Sequence, residues 1–227
     1  PHSWMFRYDA VLFDMDGTLL DTLDDLTDAL NQALTEHRYP VYGRDTVRGF
    51  IGNGATQLIK RALPAHTESA EIERVLATFQ TCYSRVEEAQ TRPYPGILPM
   101  LTALDEAGMK LAIISNKSDP NVKRLTKSHF GSLIHIAVGS REGVPYKPAP
   151  DMLFHAMRQL QVEPERTLYI GDSPVDYNTA EHAGADCILA RWGYGAPEAM
   201  DTLTPLFFVS DPAELPMLIL QEEEDAP

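Results

Sequence analysis

The chain has 227 residues, enough to bury the core of one large domain or of a domain that carries an insert. Its hydrophobic fraction of 44% and charged fraction of 23% are ordinary for globular proteins and exclude the disordered and fibrous classes. The formal net charge of -14 would repel nucleic acids and anionic membrane surfaces, so we expect neither as a partner and expect any anion site to be locally positive.

Short apolar runs that predict buried strands alternate with helical patterns along most of the chain. The runs are Ala10–Phe13, Leu111–Ile114, Ile134–Val138, Leu168–Ile170 and Cys187–Ala190. Because strands separated by helices are typical of parallel pairing, this alternation predicts an α/β fold with a parallel sheet and helices on both faces.

The interval between the first and second runs is too long for a single crossover helix. It begins with an amphipathic pattern that ends before Pro40 and has four leucines on one face: Leu23, Leu26, Leu30 and Leu34. Further amphipathic stretches cover residues 45–51, 55–63 and 68–90. We therefore expect an all-helical insert at residues 21–92, within a domain formed by residues 1–20 and 93–227.

Targeting and redox features are few in this sequence. Residues 1–7 contain no apolar core of signal-peptide length, and no apolar run approaches the length of a membrane span. Cys82 and Cys187 lie far apart and outside any C-x-x-C spacing, which is typical of thiols in a reducing compartment. These features predict a cytoplasmic protein.

Two aspartates, Asp14 and Asp16, directly follow the first strand-like run. Since one residue separates them, an extended backbone would project both carboxylates to the same side. Such a pair repels unless a divalent cation lies near it, or one member carries a proton as general acid and base. Alone, Asp-x-Asp-Gly is also typical of a simple turn. Its extension to Asp-Met-Asp-Gly-Thr-Leu-Leu-Asp favours a functional site.

Polar residues also follow the next three runs. Ser115-Asn116-Lys117 could hold phosphoryl oxygens at a helix start or merely cap that helix. Lys147, flanked by prolines, is either held in a site or a solvated surface charge. Asp172 and Asp176 are either site carboxylates or part of a helix cap. Because the carboxyl ends of parallel strands share one edge, these residues predict a single site for a hard cation and a phosphoryl group.

In order and position, these four segments resemble the four motifs of the haloacid dehalogenase superfamily. Within it, the chain is similar to the phosphoglycolate phosphatases through Phe50-Ile51-Gly52-Asn53-Gly54-Ala55, Pro93-Tyr94-Pro95-Gly96, Ser115-Asn116-Lys117 and Lys147-Pro148-Ala149-Pro150. The resemblance implies a doubly wound, Rossmann-like parallel sheet with an inserted all-helical cap domain. It also implies hydrolysis of a small phosphorylated metabolite, in the first place 2-phosphoglycolate.

The resemblance further implies a role for each residue. Asp14 would attack phosphorus to form an aspartyl-phosphate, and Asp16 would protonate the leaving alkoxide and then take a proton from water. Mg²⁺ would be held by Asp14, Asp16 through its carbonyl oxygen, and Asp172, with Asp176 orienting the metal shell or Lys147. The residues expected to bind substrate are Thr18, Gly52, Asn53, Gly54, Ser115, Asn116 and Lys147. For Gly52-Asn53-Gly54, a plain helix end and turn is the alternative.

Other functions stay open at this stage. The same machinery could serve pyrophosphate, a sugar phosphate or a nucleotide, or a sugar-phosphate mutase with a second phosphate site near Arg48, Lys60 and Arg61. Haloacid dehalogenation is disfavoured, because that branch lacks the second aspartate that Asp16 provides. From a different class, a phosphoacceptor signalling module or a binding protein with a degenerate site remains an alternative.

Overall fold

The structure is a computed structural model that describes residues 4–86 and 88–224. The strands are β1 (Trp4–Phe6), β2 (Ala10–Phe13), β3 (Leu20–Asp21), β4 (Arg92–Pro93), β5 (Lys110–Ser118), β6 (Ile136–Ser140), β7 (Thr167–Gly171), β8 (Asp186–Ala190), β9 (Phe207–Val209) and β10 (Glu222–Glu224). The helices are α1 (Leu23–Glu36), α2 (Arg44–Arg48), α3 (Ala55–Ala62), α4 (Ser69–Val86), α5 (Ile97–Glu106), α6 (Asp119–Phe130), α7 (Asp151–Leu160), α8 (Pro174–Ala183), α9 (Pro197–Met200) and α10 (Leu215–Ile219).

A parallel sheet in the order β6-β5-β2-β7-β8-β9 forms the centre of the molecule. The chain runs outward from β2 through β5 to β6, returns to β7 beside β2, and continues outward to β8 and β9. This is a doubly wound sheet, and the side on which successive strands are added reverses at β2. Open parallel sheets form a ligand crevice outside the carboxyl ends of the strands at such a reversal.

Side chains of the central strand alternate between two covered faces. Val11 and Phe13 pack in the cluster that includes α5, α6 and α10, whereas Ala10 and Leu12 pack in the cluster that includes α7 and α8. All four side chains are fully buried. Because both faces of β2 are covered, the strand is apolar at every position, which is why it appears in the sequence as a continuous run.

The predicted α/β class with a parallel sheet is confirmed, and each of the five predicted runs overlaps a strand. The third run is displaced by two residues, since β6 covers Ile136–Ser140. The edge strand β9 was not predicted from the sequence. Its three residues are too few to show a periodicity, and Phe207 is exposed.

Four helices, α1 to α4, lie between the short strands β3 and β4 and pack on one another. The four leucines predicted on one face of α1 are buried there, together with Ile59 of α3 and Phe79 of α4. β3 pairs antiparallel with β4, so the points where the chain enters and leaves the helical segment lie side by side. The division into residues 1–20 with 93–227 and an insert at 21–92 stays a prediction. Within the described ranges, no helix has the length and apolarity needed to cross a bilayer.

Asp25 ties α1 to the segment that leads into β4. The side chain is fully buried, and its carboxylate accepts hydrogen bonds from the N–H and side-chain amide of Gln90 and from the N–H and hydroxyl of Thr91, at 2.7 to 3.2 Å. These donors replace the water that the carboxylate loses on burial. Asp28, almost one turn later, also accepts from Gln90 but is exposed.

We expect Asp25→Ala to lower the free energy of unfolding by about 2–4 kcal/mol, because several buried donors would lose their acceptor. Asp28→Ala removes an exposed hydrogen bond to the same partner and should cost no more than about 0.5 kcal/mol. Urea unfolding followed by circular dichroism measures both variants. Equal losses would show that the burial of Asp25 contributes nothing beyond its helix position.

Candidate active site

The four predicted segments meet at the carboxyl edge of the sheet. Asp14 follows β2, Ser115 lies in the last part of β5, Lys147 lies in the loop after β6, and Asp172 follows β7. Asp176 lies in the first turn of α8. Because β2 lies between β5 and β7, the central strand places Asp14 in the middle of this group.

Three buried carboxylates form a cluster that could hold a cation. One oxygen each from Asp14, Asp172 and Asp176 lies within 4.8 Å of the others, and the three residues are 8%, 3% and 0% exposed. Carboxylate oxygens are the ligands that hard divalent cations such as Mg²⁺ prefer. The donor set therefore fits a divalent cation.

Lys147 is the cation that faces this cluster. Its Nζ lies 2.9 Å from Oδ1 of Asp176 and 3.2 Å from Oδ1 of Asp14, and it donates to the carbonyl oxygen of Ile114 and the hydroxyl of Tyr169. The side chain is 1% exposed. The alternative of a solvated surface lysine is therefore wrong, and the ammonium contacts two of the three carboxylates.

One ammonium does not balance three buried carboxylates, and the pKa shifts of Asp14 and Asp172 reflect this excess of negative charge. Burial, reinforced by the Asp176 carboxylate and opposed by Lys147, raises the pKa of Asp14 well above its usual range. Burial and Asp176 also raise the pKa of Asp172 to about 7. Burial would lower the pKa of Lys147, but attraction to Asp14 and Asp176 outweighs it and raises that pKa. A bound divalent cation would supply the missing positive charge.

The Asp16 carboxylate has a different environment from that of Asp14. Its Oδ1 accepts from the hydroxyl of Thr22 at 2.8 Å, and its Oδ2 lies 3.3 Å from Nζ of Lys117. Asp16 is outside the three-carboxylate cluster. The two aspartates that the sequence places one residue apart therefore have separate partners, and the predicted metal contact through the carbonyl oxygen of Asp16 stays a prediction.

Ser115 and Asn116 lie within β5, not at the start of the next helix. β5 continues to Ser118, its register with β6 shifts between Ile114 and Ser118, and α6 begins at Asp119. Both residues are buried and line the cavity described below. The side chain of Asn116 accepts from the N–H of Lys147 at 2.8 Å and donates to its carbonyl oxygen at 3.1 Å. Asn116 thus fixes the backbone that carries the lysine.

Thr18 and a loop after β8 support Asp172. The hydroxyl of Thr18 donates to Oδ1 of Asp172 at 3.1 Å, and the N–H of Tyr194 donates to Oδ2 at 2.7 Å. Thr18 is 1% exposed, so this contact orients a cluster carboxylate, while its role as a substrate ligand stays a prediction. Gly17 has φ +83, and a Cβ there would lie 2.2 Å from Oδ2 of Asp172. The turn can approach the carboxylate only because residue 17 is glycine.

The loop between α2 and α3 covers the site. Gly52 and Gly54 line a cavity of about 80 Å³ that also contacts Asp14 and Asp16. The carbonyl oxygen of Gly52 accepts from the side chain of Asn116 at 3.1 Å. The side chain of Asn53 accepts from Arg61 at 2.8 Å and lines a neighbouring cavity. The loop therefore contacts residues of the site, and substrate contact by its residues stays a prediction.

Several residues that contact the site have no role predicted from the sequence. Lys117 belongs to the recognised Ser115-Asn116-Lys117 segment, so its position was available, but its partner Tyr83 comes from α4. Tyr169 appears in the sequence only as part of an apolar strand. Tyr194 follows the last predicted run within Trp192-Gly193-Tyr194-Gly195, where the two glycines after a strand are a usable sign of a close turn.

The chain is similar to known proteins in both sequence and fold. A profile of the haloacid dehalogenase-like hydrolases matches residues 11–190. Phosphoglycolate phosphatase from Pseudomonas putida is 33% identical over 207 residues, which cover 88% of this chain and 76% of the relative. A crystal structure from Lactobacillus delbrueckii subsp. bulgaricus has a TM-score of 0.90 at 31% identity, over 94% of this chain and 99% of that one. A mutant of CbbY from Rhodobacter sphaeroides, in complex with xylulose-(1,5)bisphosphate, has a TM-score of 0.74 at 27% identity, over 93% and 96%.

We expect Gly17→Ala to weaken divalent-cation binding by at least about 10-fold, because the added methyl would displace Asp172. Gly108→Ala is the matched control, since Gly108 has φ +82 and a Cβ there would meet nothing within 4 Å. Both variants should lose about 1 kcal/mol of stability from backbone strain, but only Gly17→Ala should lose cation affinity. Calorimetric titration with Mg²⁺ measures this difference, and similar affinities in the two variants would contradict it.

Proposed function

This chain belongs to the haloacid dehalogenase-like hydrolase family, and we propose that it is a magnesium-dependent phosphatase for a small phosphomonoester, in the first place 2-phosphoglycolate. The observation that carries the proposal is the meeting of Asp14, Lys147 and two further buried carboxylates beside a cavity that Asp14 lines. The name of the Pseudomonas putida relative supports the choice of substrate.

In the proposed reaction, Asp14 is the nucleophile. An oxygen of its carboxylate attacks phosphorus, the bond from phosphorus to the ester oxygen breaks, and an aspartyl-phosphate forms. Lys147, 3.2 Å from Asp14, would bind phosphoryl oxygens and offset the repulsion between an anionic nucleophile and an anionic substrate. The hydroxyl of Ser115, on the cavity wall, would bind a further phosphoryl oxygen. Both side-chain N–H groups of Asn116 donate to carbonyl oxygens, so Asn116 would bind substrate through its backbone N–H.

Asp16 would move the protons. As a general acid it gives a proton to the leaving alkoxide, and as a general base it then takes one from the water that hydrolyses the aspartyl-phosphate. Asp16 has its own partners, a hydrogen bond from Thr22 and an ion pair with Lys117, and these support a role distinct from that of Asp14. Both aspartates line the same cavity, so both can reach one small substrate.

Asp14, Asp172 and Asp176 would hold Mg²⁺, with the carbonyl oxygen of Asp16 as a further predicted ligand. When bound, the ion supplies positive charge for the phosphoryl oxygens. Thr18 and Tyr194 hold Asp172 in place through its two oxygens. Residues 21–92 would act as a cap domain that excludes water from the cavity during the reaction.

A sugar bisphosphate is the second candidate substrate. Arg48 and Arg61 line a neighbouring cavity that also contacts Asp16 and Asp172, and the CbbY complex contains such a ligand. Each guanidinium already donates to the protein, Arg48 to the carbonyl oxygen of Gly193 and Arg61 to Asn53. Since a guanidinium has five N–H donors, each arginine keeps donors for a second phosphate, and the bisphosphate stays the alternative substrate.

A phosphate-release panel tests the substrate. With Mg²⁺ present, kcat/KM for 2-phosphoglycolate should exceed that for sugar phosphates, a sugar bisphosphate, nucleotides and pyrophosphate by at least about 10-fold. Removal of divalent cations with EDTA should abolish release, and added Mg²⁺ should restore it. A higher kcat/KM for the bisphosphate would replace phosphoglycolate as the proposed substrate, and release that persists in EDTA would contradict the metal dependence.

Asp14→Asn should reduce turnover by at least about 10⁴-fold while the circular dichroism spectrum and Tm stay native-like, because the amide cannot act as the nucleophile. Asp24→Asn on α1 is the control. Asp24 pairs with Arg44 at the surface, so its replacement should change turnover by less than about twofold. Mass spectrometry of acid-quenched wild-type enzyme should locate a phosphoryl group on Asp14. Near wild-type turnover of Asp14→Asn would assign the nucleophile elsewhere.

A further inference from the structure

Lys117 is a second cation at the site, and it contacts Asp16, whereas Lys147 contacts Asp14 and Asp176. The Nζ of Lys117 lies 3.3 Å from Oδ2 of Asp16 and donates to the hydroxyl of Tyr83 at 2.8 Å. The same Nζ lies 4.4 Å from the centroid of the Tyr83 ring, and the lysine side chain is 7% exposed. Tyr83 belongs to α4 in the helical segment, so this ammonium joins the sheet edge to the helices.

The cavity around Lys117 is lined on the helical side mostly by apolar residues, with Gln80 and Tyr83 of α4, and on the sheet side by two carboxylates. Leu26, Leu58 and Phe79 line it from the helices, and Asp14 and Asp16 line it from the sheet. Among the described residues that line this cavity, Lys117 is the one cation. An anion that enters the cavity would therefore be attracted to the Lys117 ammonium and would find no competing guanidinium on the wall.

The position of Lys117 next to Asp16 defines which part of a substrate it meets. Under the proposed function, Asp16 protonates the ester oxygen of the leaving group. Atoms one or two bonds beyond that oxygen must lie close to Asp16 and hence close to Lys117, on the far side from the phosphoryl group. In an ester of a 2-hydroxy acid, the carboxylate carbon occupies this position.

We propose that Lys117, oriented by Tyr83, binds the carboxylate of the leaving group and so selects phosphate esters of short 2-hydroxy acids over esters of neutral alcohols. An ammonium has three N–H donors, and in the part of the chain that the structure describes two acceptors contact it, Asp16 and Tyr83. One donor remains for the substrate. The inference rests on the proposed phosphatase function, and it names Lys117 as the residue that recognises the leaving group.

The test compares 2-phosphoglycolate with 2-phosphoglycolamide, in which a neutral amide of nearly the same shape replaces the carboxylate. The wild-type enzyme with Mg²⁺ should prefer the carboxylate. In Lys117→Met, which keeps the length of the side chain and removes its charge, the ratio of kcat/KM for the two substrates should fall by about 10- to 100-fold, the usual effect of losing a hydrogen bond to a charged group. Lys127→Met, an exposed lysine of α6, should leave the ratio unchanged.

Tyr83→Phe is a second variant, which keeps the ring and removes the hydroxyl that holds Nζ. Its ratio should fall by about threefold or more, and it decides the question if Lys117→Met does not fold. An unchanged ratio in Lys117→Met, with both substrates slowed equally, would overturn the proposal and show that the ammonium acts only on Asp16; the phosphatase function would then stand. Absence of phosphate release from either substrate by the wild-type enzyme would overturn the phosphatase function and this proposal together.

Discussion

The structure at the carboxyl edge of the sheet depends on one constraint, the repulsion among three buried carboxylates. Within the protein, the Lys147 ammonium offsets part of this repulsion. Removing Lys147 would leave Asp14 and Asp176 without their cation in a low-dielectric environment, where unpaired charges are most costly. Asn116 holds the backbone of this lysine through two hydrogen bonds, and the hydroxyl of Tyr169 accepts from its Nζ. Much of the polar structure at the ends of β5 and β7 thus serves to place one ammonium.

The same constraint explains why two aspartates one residue apart lie in different environments. Asp14 shares the cluster with Asp172 and Lys147, and burial raises its pKa. Asp16 lies outside the cluster, where Thr22 and Lys117 contact its two oxygens. A catalytic cycle that needs one carboxylate to bind charge and another to exchange protons requires this separation, because two aspartates in one environment would compete for the same cation.

Sequence patterns predict the parts of this molecule that depend on local order. The buried strands, the leucine face of α1, and the meeting of Asp14, Lys147, Asp172 and Asp176 follow from apolar periodicity and from the geometry of parallel sheets. Contacts between distant segments leave no local pattern. The Lys117 contact with Tyr83 joins β5 to α4, and the Asp25 contact with Thr91 spans 66 residues, so neither could be predicted from the chain alone. β9 is missed for a different reason, because three residues are too short to carry a period.

The two unpredicted contacts have a common consequence for how the helical segment could act. Asp25 binds Thr91 beside the β3–β4 pair and so fixes α1 to the returning chain, whereas Lys117 binds Tyr83 in the last turn of α4. The first contact involves a fully buried carboxylate with several donors, and the second leaves an N–H donor for a ligand. Motion of the proposed cap would therefore break the Lys117 contact before the Asp25 contact. Since Lys117 also pairs with Asp16, closure of the cap, recognition of the leaving group and placement of the proton donor would then depend on the same ammonium.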